Sequence, residues 1–192
     1  MTCVMVFSVK GYHTCKDKNG IQYIRDNVPF ISRKDNQWLG QGYYFWTDSE
    51  YWARQWMKDP KVISKFSINL EKDKVLDLVG DVTHQELLRD IYGLFTEGSV
   101  FHKQYVERYG EDISVGTIIS FLRLQDVKDG SENFFPFWAV RAKDNRYTTK
   151  ILFTTLSKKE LFLVEPHQLC VYQEYKAQSV NFEQFVYPGH YC

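Results

Sequence analysis

Two places in the sequence carry side chains able to work on a flat, polar ligand. His13 follows the apolar run from Val4 to Val9, just past Lys10-Gly11, and an imidazole can donate, accept or carry a proton near neutral pH. The second place is WLGQGYYFWTDSEYWARQW, Trp38 to Trp56, with four tryptophans, three tyrosines and two glycines. Gly40 and Gly42 permit a tight turn, and Tyr43 to Trp46 read as a short strand whose rings alternate between two faces. Ring faces stack flat ligands and ring bodies fill cores, so this segment suits a pocket wall and an interior alike. His84, His102, His167 and His190 lack metal-ligand spacing, and Cys3, Cys15, Cys170 and Cys192 contain no CxxC pair. Neither a metal site nor a disulfide framework is indicated. No Gly-rich phosphate loop, Ser-His-Asp arrangement or carboxylate pair competes.

The elements that must position these residues follow from periodicity. Val4–Val9 predicts a buried first strand that stops before Tyr12, which puts His13 at a strand end. GIQYIRDNV, with Ile21, Ile24 and Val28, predicts a short helix ending at Pro29, and the polar loop SRKDNQ leads on to Trp38. Thr47-Asp48-Ser49-Glu50 fits a capping box for a helix with Trp52, Ala53 and Trp56 on one face, ending before Pro60. Val62–Leu70 alternates as a third strand, and Lys74–Val79 supplies a fourth. Thr83 and Glu86 form a second capping box for an amphipathic helix carrying Leu87, Leu88, Ile91 and Leu94, and helical patterns recur over 101–109 and 115–125. After a polar turn at 128–133, strands are expected in FFPFWAV, TKILFTT, ELFLV and QLCVYQEY. Strands, then helices, then strands predict an α+β fold, with a helical insertion over about 83–126.

Composition bounds the function. The 192 residues suit a single domain, 1–192, with no linker or repeat. Twenty-four basic residues balance twenty-four acidic ones, so no global field favours nucleic acid or an anionic membrane. The aromatic content of 17% is high and asks for a stacking or packing explanation. The first apolar run is too short to span a membrane and has no basic region before it, which points to a cytoplasmic protein without a membrane partner.

GYYFWTDSEYWA and YHTC, with the late segment QLCVY, resemble the ADP-ribosyltransferase fold, in its diphtheria-toxin and poly(ADP-ribose) polymerase branch. The match covers Tyr12–Cys15, Gly40–Ala53 and Gln168–Tyr172. The resemblance implies a split, mostly antiparallel β-sheet, NAD as substrate, and His13, Tyr44 and Gln168 as the catalytic triad. It also implies His13, Thr14, Gly42, Tyr43, Tyr44 and Trp52 as NAD contacts. His13 would bond a ribose hydroxyl and Tyr44 would stack on nicotinamide, with Trp52 or Trp56 closing the other side. Two positions depart from the family pattern: Thr14 stands where the family has glycine, and Gln168 where it usually has glutamate. Glu165 and Glu174 are the carboxylates nearest to Gln168 in sequence.

An amide donates and accepts hydrogen bonds but brings neither charge nor base. The resemblance with glutamine at that position therefore implies transfer of one ADP-ribose to a protein or nucleic-acid acceptor, or hydrolysis of NAD, rather than chain building. A toxin or defence role is what the resemblance implies for a small free-standing domain. The first alternative is a non-catalytic module that binds NAD or ADP-ribose. A second is a transferase on RNA ends, which would require a His/His/Arg set and a basic face.

Overall fold

The computed structural model describes residues 5–96, 98–111, 113–129, 135–146, 150–152 and 160–192. The fold is α+β. Its strands are β1 (Val6–Lys16), β2 (Tyr43–Thr47), β3 (Lys61–Glu71), β4 (Val75–Asp77), β5 (Ala139–Lys143), β6 (Lys150–Leu152), β7 (Glu160–Phe162), β8 (His167–Val171) and β9 (Val180–Tyr187). Its helices are α1 (Gly20–Asn27), α2 (Tyr51–Trp56), α3 (Val82–Gly93), α4 (Val100–Tyr109), α5 (Val115–Asp129) and α6 (Lys176–Ser179). Seven strands form one sheet in the order β4-β5-β8-β2-β1-β3-β9, and β6 pairs with β7 apart from it. Among the described residues, only β4 with β5 is parallel within the large sheet.

The first strand departs from the sequence expectation. Val4, where it was expected to begin, lies outside the described residues, and β1 runs on through His13 to Lys16. Unbroken antiparallel pairing with β3, from Val6 opposite Glu71 to Lys16 opposite Lys61, carries it past Gly11. Gly11 does not terminate the strand; a Cβ there would lie 2.5 Å from Ile68 Cδ1, so glycine permits close packing. The buried half of β1 is its second half, with Gly11, His13 and Cys15 inside and Val6 62% exposed.

The sheet buries both faces. One carries Phe45, Phe66, Ile68, Leu169, Val171 and Phe185 against Ile24 of α1. The other carries Val140, Cys170 and Tyr172 against Tyr105 of α4 and Ile118, Ile119 and Leu122 of α5. Near α2, Trp46, Ala53 and Ile63 make a third cluster.

Both expected capping boxes are absent. Thr47 is the last residue of β2, and Glu50, which precedes α2, makes no side-chain cap; the Tyr51 N–H donates to Ser49 Oγ at 3.2 Å instead. Asp81 rather than Thr83 caps α3, accepting from the Thr83 and His84 amides. No residue of α3 is buried, and Leu87 and Leu94 are 40% and 48% exposed. α4 matches the helical pattern read from the sequence, while α5 runs past the expected 125 to Asp129 and so into the polar turn expected at 128–133, of which 130–133 lie outside the described residues. Of the late segments, FFPFWAV enters the sheet only at Ala139, where β5 begins, and the others give β6, β7 and β8, with β6 and β7 described over three residues each. QLCVYQEY leaves the sheet at Val171 and turns through a 3-10 helix at Gln173–Tyr175. β9, at the far edge beside β3, has no counterpart in the sequence reading.

Candidate functional site

β1 and β2 pair over only two residue pairs, Gly11 with Thr47 and Tyr12 with Trp46. Beyond them β1 stays with β3 and β2 stays with β8. The His13 ring bridges the place where the two strands stop pairing. Its Nδ1 lies 2.9 Å from the Tyr44 carbonyl oxygen, and its Nε2 lies 3.2 Å from the Phe30 amide nitrogen. Since the amide must donate, Nε2 accepts, and Nδ1 carries the proton that it gives to Tyr44. Burial lowers the imidazole pKa from 6.5, outweighing the opposing effect of the Tyr44 bond. His13 is a neutral strut, and a ribose hydroxyl reaches Nε2 only by displacing the Phe30 amide.

The chain between α1 and β2 folds back over this point. Ser32 and Gly42 exchange backbone hydrogen bonds of 2.9 and 3.1 Å. The Tyr44 hydroxyl donates to the Gly40 carbonyl at 2.7 Å and accepts the Leu39 N–H at 3.0 Å. The Tyr172 hydroxyl holds the Leu39 carbonyl at 3.2 Å. Gly40 has φ +84°, a left-handed conformation that glycine adopts without strain. With its hydroxyl used twice and burial pushing its pKa far up, Tyr44 has only its ring to offer a ligand.

A cavity of about 350 Å³ opens beside these residues, lined by His13, Thr14, Tyr44, Phe45, Trp46, Trp56 and Gln168 and by the loop residues Ser32, Lys34, Asn36, Gln37 and Trp38, with Arg146. This is within the range of small-ligand sites. The pairing of Tyr44 with Cys170 and of Trp46 with Gln168 puts Tyr44, Trp46 and Gln168 on one face of the sheet. Gln168 is 5% exposed, its Oε1 accepts from Trp38 Nε1 at 3.0 Å, and its Nε2 has no protein partner among the described residues. Thr14 Oγ1 donates to the Ala53 carbonyl at 3.0 Å. No carboxylate lines the cavity among the described residues, whereas Lys34 and Arg146 do. Arg146 grips Asp144, itself 2% exposed, with bonds of 2.9 and 2.7 Å. Lys34 is exposed and makes no ion pair among the described residues.

The structure thus brings His13, Thr14, Tyr44 and Gln168 to one cavity. Gly42, Tyr43 and Trp52 do not line it. A Cβ on Gly42 would lie 2.6 Å from Cys170 Sγ and 2.8 Å from the Val171 carbonyl oxygen, so this glycine serves the approach of β2 to β8. Tyr43 packs on the opposite sheet face from Tyr44, and the Trp52 indole donates to the Val164 carbonyl at 3.0 Å. Trp56 does reach the cavity. Glu165 pairs with Lys143 and His167, which hold its carboxyl below the usual range, and Glu174 takes a two-pronged bond from Arg123 at 2.9 Å. Neither lines the cavity. Sequence reasoning passed over Ser32, Lys34, Asn36 and Gln37, because SRKDNQ carries only a loop composition. It gave Trp38 no role of its own and left Arg146 between two strands.

Chemically, the cavity offers aromatic surface, hydroxyl and amide groups and two cations, with a neutral imidazole at its edge. Among the described residues no three His, Cys, Asp or Glu side chains cluster as a metal site, and no helix is long and apolar enough to cross a membrane. Comparisons with protein-family models, curated proteins and solved structures matched nothing.

Proposed function

We propose that this cavity binds NAD and that the chain is a mono-ADP-ribosyltransferase-like protein on a split-sheet fold. The observation that carries the reading is the convergence of His13, Tyr44 and Gln168, from three distant segments, on one cavity beside the parting of β1 and β2. Tyr44 offers its ring to nicotinamide, and Gln168 offers an N–H to a ribose hydroxyl oxygen. The cations Lys34 and Arg146 suit a pyrophosphate, and an aromatic lining without a carboxylate suits an anionic ligand that carries flat rings.

In the reaction the bond between nicotinamide and ribose C1′ breaks. Its electron pair leaves with nicotinamide, which becomes neutral, and the ribose carries the positive charge. An acceptor oxygen or nitrogen, or water, supplies a lone pair to C1′ and releases its proton to solvent. The chain's part is to hold ring and ribose in line and to keep bulk water out. The loop from Ser32 to Trp38, with Trp46 and Trp56, forms that enclosure.

A second reading, a module that binds NAD or ADP-ribose without turnover, is favoured by the lack of a lining carboxylate to stabilise the ribosyl cation. Titration calorimetry with NAD, followed by chromatography for released nicotinamide, tests both. Binding with nicotinamide release supports the transferase, and binding with intact NAD supports the module. If neither NAD nor ADP-ribose binds at millimolar concentration, both readings fall.

A further inference from the structure

Gln168 is 95% buried, taking its 5% exposure from the whole, and the NH2 of its amide has no protein partner among the described residues although it borders the cavity. Its orientation has an identifiable cause. An indole N–H can only donate, so Trp38 Nε1, 3.0 Å away, must face the amide oxygen. That leaves the NH2 for the cavity.

Trp38 in turn stands between two fixed points. On its C-terminal side, Leu39 and Gly40 are held by the Tyr44 and Tyr172 hydroxyls. On its N-terminal side, Gln37 lies on the first turn of α5, where Gly116 makes room for it. A Cβ at 116 would sit 1.9 Å from the Gln37 carbonyl oxygen and 3.1 Å from the Trp38 carbonyl carbon. No side chain fits there without moving the loop.

We propose that Trp38, seated on Gly116 of α5, is the positioning residue that fixes Gln168 with its oxygen inward and its NH2 toward the cavity. The site thereby presents a donor to an acceptor atom of its ligand, a ribose hydroxyl or a carbonyl oxygen. This rests on the reading of the cavity as an NAD site for its ligand, but not for its geometry. It gives the helical section a direct part in the site: α5 sets the loop, the loop sets the indole, and the indole sets the amide. Without the indole the amide is free to turn over and offer its oxygen in place of the donor.

The test is a double-mutant cycle on NAD affinity with Trp38→Phe, Gln168→Ala and the pair, alongside indole 15N–1H spectra of the free protein. Losing one neutral hydrogen bond weakens binding about fivefold, and Trp38→Phe and Gln168→Ala should each do so. The pair should bind no more weakly than Gln168→Ala alone, because Trp38 acts through Gln168. Multiplying effects, near 25-fold for the pair on the same basis, would overturn the proposal. In the spectra, the indole resonance missing from Trp38→Phe should move and exchange faster with water in Gln168→Leu and in Gly116→Ala. If that resonance is indifferent to Gln168→Leu, the positioning claim fails even where NAD binds. If it responds while NAD does not bind, the positioning stands and the ligand assignment alone falls.

Discussion

His13→Phe separates a strut from a ligand contact. The substitution keeps a ring in the gap between β1 and β2 but removes both hydrogen bonds, leaving the Tyr44 carbonyl and the Phe30 N–H unpaired in a part-buried place. Each orphaned group costs about 1–3 kcal/mol, so the variant should lose about 2–6 kcal/mol of unfolding free energy in urea titrations near pH 7.5. That is a large share of a domain's usual stability.

The pH dependence carries the sharper signature. Burial lowers the pKa of His13 below its ordinary 6.5. As pH falls below 6.5 the unfolded chain takes up a proton that the folded chain refuses, so stability falls with pH until the folded pKa is reached, and it is fully present above 6.5. Within that window the slope approaches about 1.4 kcal/mol per pH unit for this one group. The wild type minus His13→Phe difference should therefore shrink from pH 7.5 toward pH 5, while other titrating groups cancel between the two proteins. A loss below about 1 kcal/mol, or a difference flat with pH, would refute the neutral-strut assignment and return His13 to the pool of free ligand contacts.

Three further outcomes are expected. Gly42→Ala should lower the urea midpoint by an amount worth about 1–3 kcal/mol, because its Cβ meets Cys170 Sγ and the Val171 backbone; an unchanged midpoint would mean that β2 and β8 have room that the register denies them. Lys34→Glu should weaken NAD binding about tenfold in low salt and less in high salt, with stability within about 0.5 kcal/mol of wild type; equal weakening at both salt concentrations would remove Lys34 from the ligand's charge field. Gln168→Glu adds the charge that the cavity lacks, and nicotinamide release should rise at least about tenfold; unchanged release with binding retained would show that the missing carboxylate is not what limits turnover.

Much of the fold was legible because periodicity and breakers act locally. Ile21 and Ile24 with Pro29 bounded α1, and alternation from Val62 to Leu70 marked β3. What failed was decided by partners distant in sequence. β1 was cut short at Gly11 because glycine ends strands on its own account, whereas in the sheet the missing side chain lets β1 pass close to Ile68 of β3 and Phe45 of β2. The two capping boxes had the right residue types, but β2 kept Thr47 in the sheet and Asp81 reached the α3 amides first. VNFEQFVY was passed over because its apolar alternation breaks after Phe182, and in the sheet Val180 and Phe185 are inside while the four residues between them are exposed. Register shifts against β3 explain that pattern.

The site was legible as three residues and illegible as an enclosure. The register from Tyr12 with Trp46 would, one step on, set His13 on the Phe45 face, opposite to Tyr44 and Gln168. The His13 and Phe45 ring centroids are indeed 6.0 Å apart. In a continuous sheet, His13 could not share a cavity with Tyr44. They share one here because pairing between β1 and β2 ends after Tyr12, and the imidazole rather than a backbone ladder spans the gap to the Tyr44 carbonyl. The parting that opens the cavity to both faces thus leaves the Tyr44 carbonyl to be satisfied by a side chain, and the loop after α1 brings the Phe30 amide to the same ring. His13 meets both needs with one ring in one tautomer, so any reading of it as a ligand contact must first account for the strut.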